Sequence, residues 1–501
     1  MFVWVLLIGL CTTTQSWNVL FVTVFGSGSH QTVSGPLANL LISRNHTVTY
    51  MSTNIPKYVS NKAEKLTIPH CESLVNDHGS GRNKTDDSFI KSVRKTLGKI
   101  DATLSSCDRF WGEPNVQILK TSVRKYDLLL TFAPYYDVCA LGLAHILGIQ
   151  NAVLHVTAPY ILPLHLSRLG LPLYASSTKI DDILLKGKDH GLVKGSMRTR
   201  FANVLQRNLM TVLHKAAVNW YIEPVLYSHV PDYPGYKETY KTVKLILMNI
   251  HHHPVVDGPT PFGPGVLTLG GSMCTDYNSA EVDNYPGLAN FINNATEGFI
   301  FMSFGSLQMD IPAEEQNKWL EVFASLPYKV VWKQNKGPQT PDNVMLFSWL
   351  PQQSLLQHPN LKLFITHGGH SSKMETACAG KPMLVVPQFA KDQFYNAVRA
   401  AETGVGDNVL DLQGTSAREI TEKIINATDG RFQKNLNRVR RQIMSTKLTN
   451  ENILGHLDAV VSGYNFLPGY QPWYELYHLD MLVPPTLLVL GLLGVKRYRN
   501  S

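Results

Sequence analysis

Cysteine is scarce in this chain, six in 501 residues, and one of the six, Cys11, lies inside an apolar leader. The others, Cys71, Cys107, Cys139, Cys274 and Cys378, are odd in number and widely spaced. That argues against a disulfide framework and matches no zinc-ligand spacing. No segment repeats at a fixed short period, which excludes solenoids and propellers. Runs of Lys and Arg are missing outside "RVRRQ" and the extreme C-terminus, so the formal charge of +8 is dilute. A solvated helix face accounts for it, and nucleic acid is not implied as a partner. Uninterrupted bilayer-length apolar runs are missing too. Met481 to Val495 supplies 15 uncharged residues, broken by Pro484 and Pro485, where a spanning helix wants about 20.

What is present is length enough for two cores, since a domain holds roughly 100 to 200 residues. The leader, residues 1–16, is apolar from Phe2 to Leu10 with small residues at Thr14 and Ser16, and reads as a signal peptide although no basic residue precedes it. Despite its prolines, 476–495 reads as a transmembrane helix when extended back through His478 and Asp480, and the tail 496–501, with Lys496, Arg497 and Arg499, favours the cytosol. A cleaved signal followed by a stop-transfer helix gives type I topology with both domains lumenal. Sequons at Asn45, Asn83, Asn294 and Asn426 are compatible with that placement.

Between these ends, apolar runs alternate with helical patterns, as in βαβ units. "NVLFVTVF", "HTVTYMS", "YDLLLTF", "NAVLHV" and "VKLILMN" read as the strands of a first domain, 17–255. Gly35 and Pro36 weaken the first helical pattern, so that helix is expected to begin at Pro36 and leave His30 on a loop. The Pro- and Gly-dense stretch 256–298 reads as a domain connection. "GFIFMSFGS", "YKVVWKQ", "NVMLFSW", "LKLFITH" and "PMLVVPQ" are the strands of a second domain, 299–470. The fold class is α/β, two facing Rossmann-like domains with a cleft between them, plus the C-terminal membrane segment.

The densest chemistry lies in "FITHGGHSSKMETACAGKP". A strand ending at Thr366 delivers His367, Gly368 and Gly369 to the carboxyl edge of a sheet, where open α/β folds bind ligands. A helix over Lys373 to Ala379, capped by Ser371 or Ser372 and stopped at Gly380, then offers free N–H groups to a phosphate. Glu375, a turn beyond the cap, can accept from two ribose hydroxyls, or it simply complements the helix dipole. Trp349 and Gln352 stand at a second strand end and Asp392 and Gln393 beyond a third. An aromatic face for a base, a helix end for phosphates and an amide–carboxylate pair for sugar hydroxyls together suit a nucleotide sugar. "GSGSH" hints at a dinucleotide fingerprint, but Gln31 stands where its third glycine belongs.

From Trp349 to Asn396 the order W-x-x-Q, H-x-G, helix Glu, Gly-x-Pro and D-Q-x-x-N-A resembles the donor-binding signature of the membrane-anchored animal UDP-glycosyltransferases, UDP-glucuronosyltransferases among them. "FIFMSFGSLQ" is similar to the family's Gly-Ser loop on the phosphate side. The resemblance implies the GT-B architecture, with UDP-sugar held by the C-terminal domain and a small lipophilic acceptor by the N-terminal one. It implies transfer of a hexosyl or hexuronosyl group to a hydroxyl with inversion, in the lumen of the endoplasmic reticulum, without cofactor or metal. By position, Trp349 would stack on uracil, Gln352 would contact the base or ribose, and Glu375 would hold the ribose. His367, Gly369, Ser371 and Ser306 would hold the diphosphate, with Lys333 nearby, and Asp392 and Gln393 the sugar. His30 would be the general base. In "LLLTFAPYYDVC", Phe132 and Pro134 stand where the family has its acidic partner, so Asp137, the next carboxylate, is the candidate. Lys391 looks like an inserted residue before Asp392. An incomplete dyad would instead leave a UDP-sugar or lipophile binder with weak or no transfer. Donor sugar, acceptor and homo- or hetero-oligomeric state stay open.

Overall fold

The computed structural model describes residues 15–23, 28–53, 55–56, 58–71, 106–133, 137–156, 216, 218–249, 265–274, 278–305, 311–334, 339–388 and 391–467. Most of the leader, Ser306, the segment 476–495 and the tail 496–501 lie outside them. Among the described residues no helix is long and apolar enough to cross a membrane.

Among the described residues, thirteen strands form two sheets. The first comprises β1 (Asn18–Thr23), β2 (Thr47–Ser52), β3 (Glu64–Thr67), β4 (Leu128–Ala133), β5 (Ala152–Val156), β6 (Val243–Met248) and β7 (Val266–Thr268). The second comprises β8 (Phe299–Ser303), β9 (Lys329–Lys333), β10 (Val344–Phe347), β11 (Leu361–Thr366), β12 (Met383–Val385) and β13 (Gly406–Asn408). Their orders are β3-β2-β1-β4-β5-β6-β7 and β10-β9-β8-β11-β12-β13, every pair parallel. Each order runs backwards for three strands and then forwards, the doubly wound pattern. Strands buried on both faces must be apolar throughout, and β5 and β8 are buried along their whole length. Leu20, Val22, Leu129 and Ile246 face one apolar cluster, while Val19, Phe21, Leu130 and Leu245 face the other.

Three features depart from expectations based on local pattern. The helix after β1 spans Gly28–Ser43, with Pro36 inside it, so His30 lies in its first turn and not on a loop. Proline's fixed φ is itself helical, so it removes one hydrogen bond without ending the helix here. Gly35 lets the helix approach a neighbour, since a Cβ there would lie 2.2 Å from the Tyr58 ring. Ser34 adjoins it and shares a 2.7 Å hydrogen bond with the Tyr50 hydroxyl.

The cysteines are the second departure. Cys107 is bonded to Cys139 and Cys274 to Cys378, leaving buried Cys71 as the free thiol among the described residues. Separations of 32 and 104 residues carry no local signal; only the fold brings each pair within reach. The third is the end of the described chain. Helix Asn450–Val461, within 299–470, inserts Ile453, Leu457 and Val460 into the first domain's core. Leu467 joins the same domain's other cluster. The connection is likewise shared: Val266–Thr268 pairs with β6, whereas Val282, Leu288 and Ile292 pack under the second sheet.

Candidate active site

In the second sheet the order reverses at β8 and β11, and the crevice beyond their carboxyl ends is where open α/β sheets bind ligands. The chain leaves β11 through His367, Gly368 and Gly369, and Gly369 is the N-cap of helix His370–Ala379. That helix begins three residues earlier than its sequence pattern suggests, and Ser371 and Ser372 lie inside its first turn instead of capping it. A glycine can occupy the N-cap, and the Ser372 hydroxyl is engaged elsewhere, accepting from Gln352 Nε2 at 3.1 Å. Gly380, at φ +64°, ends the helix as expected for a left-handed C-cap.

Glycines surround the His367 ring because nothing larger fits. A Cβ on Gly369 would lie 2.5 Å from His367 Nε2, and one on Gly305, at the end of β8, 2.8 Å from its Cε1. Gly368 has φ +81°, and a Cβ there would lie 2.5 Å from Val385. The His367 Nδ1 is buried with no hydrogen-bond partner among the described residues. Burial, and after it the charge of Lys333, pushes this imidazole down to about 4. At neutral pH it is uncharged, carrying one N–H donor and one acceptor nitrogen.

Lys333 ends β9. Its ammonium donates to the Gly305 carbonyl at 2.9 Å and lies 4.1 Å from the centroid of the Trp349 ring. Burial pushes it down to about 8. Trp349 is 56% exposed, a large aromatic surface held at the crevice by a cation–π contact. Just beyond it, helix Gln352–Gln357 begins with Gln352, whose Nε2 donates to Glu375 Oε2 at 2.7 Å. Gln353 Nε2 donates to the other oxygen at 3.2 Å. Glu375 is 6% exposed, and burial raises its carboxyl above the ordinary value while both glutamine bonds oppose the rise. An ionised carboxylate has about four acceptor positions, so these bonds leave capacity for two hydroxyls.

Asp392 and Gln393 lie in the first turn of helix Lys391–Glu402, which opens on Lys391. Gln393 Oε1 accepts from the Gln388 amide at 2.9 Å. Asn396, on the same helix, donates to the Gly368 carbonyl at 2.7 Å and accepts from Lys373 at 3.1 Å. This pair pins the strained glycine loop. No sequence signal marks Lys373 or Gln353 as part of this network; Asn396 stands inside the D-Q-x-x-N-A motif, the one signal that points to it.

In the first sheet the order reverses at β1 and β4. His30 lies in the first turn of the helix following β1, and Asp137 opens the helix following β4, Asp137–Ile146. The backbone therefore brings both to the reversal point of the first sheet. The two carboxyl edges meet: His370, at the start of the second domain's helix, donates from Nε2 to the carbonyl of Asn249, just past β6, at 2.6 Å.

The sequence matches a family model over most of its length: that for UDP-glucoronosyl and UDP-glucosyl transferase covers residues 20–441. The chain belongs to the UDP-glycosyltransferase family. An ecdysteroid UDP-glucosyltransferase of Spodoptera littoralis nuclear polyhedrosis virus is 36% identical to it over 42% of this chain and 40% of that protein, less than half its length. UDP-glucuronosyltransferase 1A10 of Homo sapiens is 24% identical over 94% of this chain and 89% of that one. Among solved structures, a UDP-glucosyltransferase from Polygonum tinctorium, described as capable of glucosylating indoxyl and complexed with 3,4-dichloroaniline, superposes with a TM-score of 0.57. It is 17% identical, covering 90% of this chain and all of that one. The fold shared with such glycosyltransferases is GT-B.

Proposed function

We propose that this protein transfers a hexosyl or hexuronosyl group from a UDP-sugar to a hydroxyl of a small lipophilic acceptor, inverting the anomeric carbon. The observation that carries this reading is the cluster of Trp349, Lys333, Gln352, Glu375 and the His367 glycine loop at one sheet's reversal point, facing the sheet edge that holds His30 and Asp137. Uracil stacks on Trp349, the ribose hydroxyls donate to Glu375, and the diphosphate meets the first-turn amides of helix His370–Ala379. His30 takes the proton of the acceptor hydroxyl as that oxygen attacks the anomeric carbon. The glycosidic bond forms on the face opposite the breaking bond to UDP, whose electron pair stays with the phosphate. Asp137 stabilises the imidazolium, and Lys333 with the amides meets the charge developing on UDP. His367, being neutral, donates a hydrogen bond there without adding charge. Asp392 and Gln393 hold the sugar, and Ser306, outside the described residues, joins the phosphate side.

The reading is tested by incubating the protein with UDP-glucose or UDP-glucuronate and mixed phenols and sterols, following UDP release and product mass. Release should require both donor and acceptor and fall at least a hundredfold in His30→Ala. Nucleotide binding without transfer across the panel would mark the chain as a UDP-sugar binder. The segment 476–495 anchors the chain in the endoplasmic reticulum membrane with the domains lumenal. Two disulfides suit an oxidising compartment, and the sequon residues Asn45, Asn294 and Asn426 are exposed. Protease protection in intact microsomes tests the placement.

A further inference from the structure

Asn249 follows β6 at the carboxyl edge of the first sheet. Along β6, Leu245 and Leu247 enter the cluster under helix Gly28–Ser43, and Ile246 and Met248 the opposite one. By strand alternation Asn249 lies on the face of the helix that carries His30. It is 0% exposed, and among the described residues neither its Nδ2 nor its Oδ1 has a hydrogen-bond partner. Several buried polar groups near this edge are satisfied, Thr23 donating to the Met51 carbonyl, Thr131 to that of Val22, and Ser34 and Tyr50 bonding each other, whereas the Thr53 hydroxyl past β2 shares the lack of a partner among the described residues. A buried carboxamide with donor and acceptor both idle is destabilising, and such groups in folded proteins call for a functional reason. The backbone of the same residue accepts the 2.6 Å bond from His370, at the start of the candidate diphosphate helix. The idle amide therefore stands at the seam between the two halves of the site.

We propose that the Asn249 carboxamide binds the transferred sugar, donating to one pyranose hydroxyl and accepting from its neighbour. This rests on the donor-site reading above. Uracil, ribose and diphosphate all find partners in the second domain, as do the sugar hydroxyls that face Asp392 and Gln393, and the rest of the sugar projects past the diphosphate toward the first domain. Adjacent sugar hydroxyls each donate and accept, which is the complement a lone carboxamide lacks. With the seam closed the amide is sealed from solvent, so the two edges part and close again around the donor, and the His370 bond is the contact exchanged.

Asn249→Leu replaces the amide with an apolar group of similar volume. The thermal midpoint should hold or rise, affinity for UDP alone should stay within twofold, and kcat/KM for UDP-glucose or UDP-glucuronate with 1-naphthol should fall at least tenfold. Asn249→Ser, which retains one hydroxyl, should recover part of that loss and serves if the Leu variant fails to fold. Unchanged kcat/KM, or a parallel loss of affinity for UDP itself, overturns the proposal. A failure of the donor-site reading looks different: Glu375→Ala would then bind UDP as the wild type does.

Discussion

If Lys333 meets the diphosphate as proposed, UDP affinity should depend on pH in a range where a lysine is ordinarily inert. Burial pushes its ammonium down to about 8, from an ordinary value near 10.4. In the free protein it is about nine-tenths charged at pH 7 and about one-tenth at pH 9. A charge-assisted hydrogen bond to a phosphate oxygen contributes about 1.5–3 kcal/mol, roughly 10- to 100-fold in affinity. Bound diphosphate stabilises the ammonium and raises its pKa, so UDP affinity should weaken roughly three- to fivefold as pH rises from about 8 to about 9. Calorimetric titration with UDP between pH 7.5 and 9.5 measures the slope. Lys333→Arg stays charged throughout and shares any ionisation of the nucleotide, so its slope should be nearly flat. Parallel slopes for wild type and Lys333→Arg would refute the placement of this charge at the diphosphate. Stability should move the other way: the charged lysine is penalised in the fold, so the fold gains stability as pH rises from about 8 until the unfolded chain also releases its proton near 10.4.

Trp349→Ala should weaken UDP binding by about 1–3 kcal/mol, the value of one base stacked on an aromatic ring. Its thermal midpoint should change little, since the ring is largely exposed; unchanged UDP affinity by titration would remove Trp349 from the site. Gly368→Ala forces a Cβ into a left-handed backbone position 2.5 Å from Val385, at a cost of about 1–3 kcal/mol, and should lower denaturation midpoint and donor affinity together. Leu457→Ala, in the helix that returns to the first domain, should destabilise that domain by about 2–5 kcal/mol; hydrogen exchange should show faster opening of β1 and β4 while β8 and β11 keep their protection.

How much was legible follows from where each signal lives. β8 and β11 announce themselves as apolar runs, and the abrupt change from "LFIT" to "HGG" marks the sheet edge because glycine and histidine there have no packing reason to follow a core strand. The edge strands β3, β7 and β13 are short or polar, "EKLT", "VLT" and "GDN", so their pairing depends on a neighbour already in place. His30 was legible as a residue beyond the first strand but not as part of a helix, because Gly35 and Pro36 read as breakers until Tyr58 stands against them.

The sequence by itself determined the two runs of parallel strands, the strand-to-helix junction at His367–Gly369 and the order of the motifs from Trp349 to Asn396, because hydrophobic period and turn chemistry are local properties of the chain. Tertiary structure alone decided which cysteines pair, where the helix Asn450–Val461 packs, and that Lys333 lies over Trp349 with its charge weakened by burial. It also decided that the Asn249 amide stands idle beside His370. These depend on distances between residues far apart in sequence, and on how much water the fold leaves around each charge or amide, neither of which a linear pattern encodes.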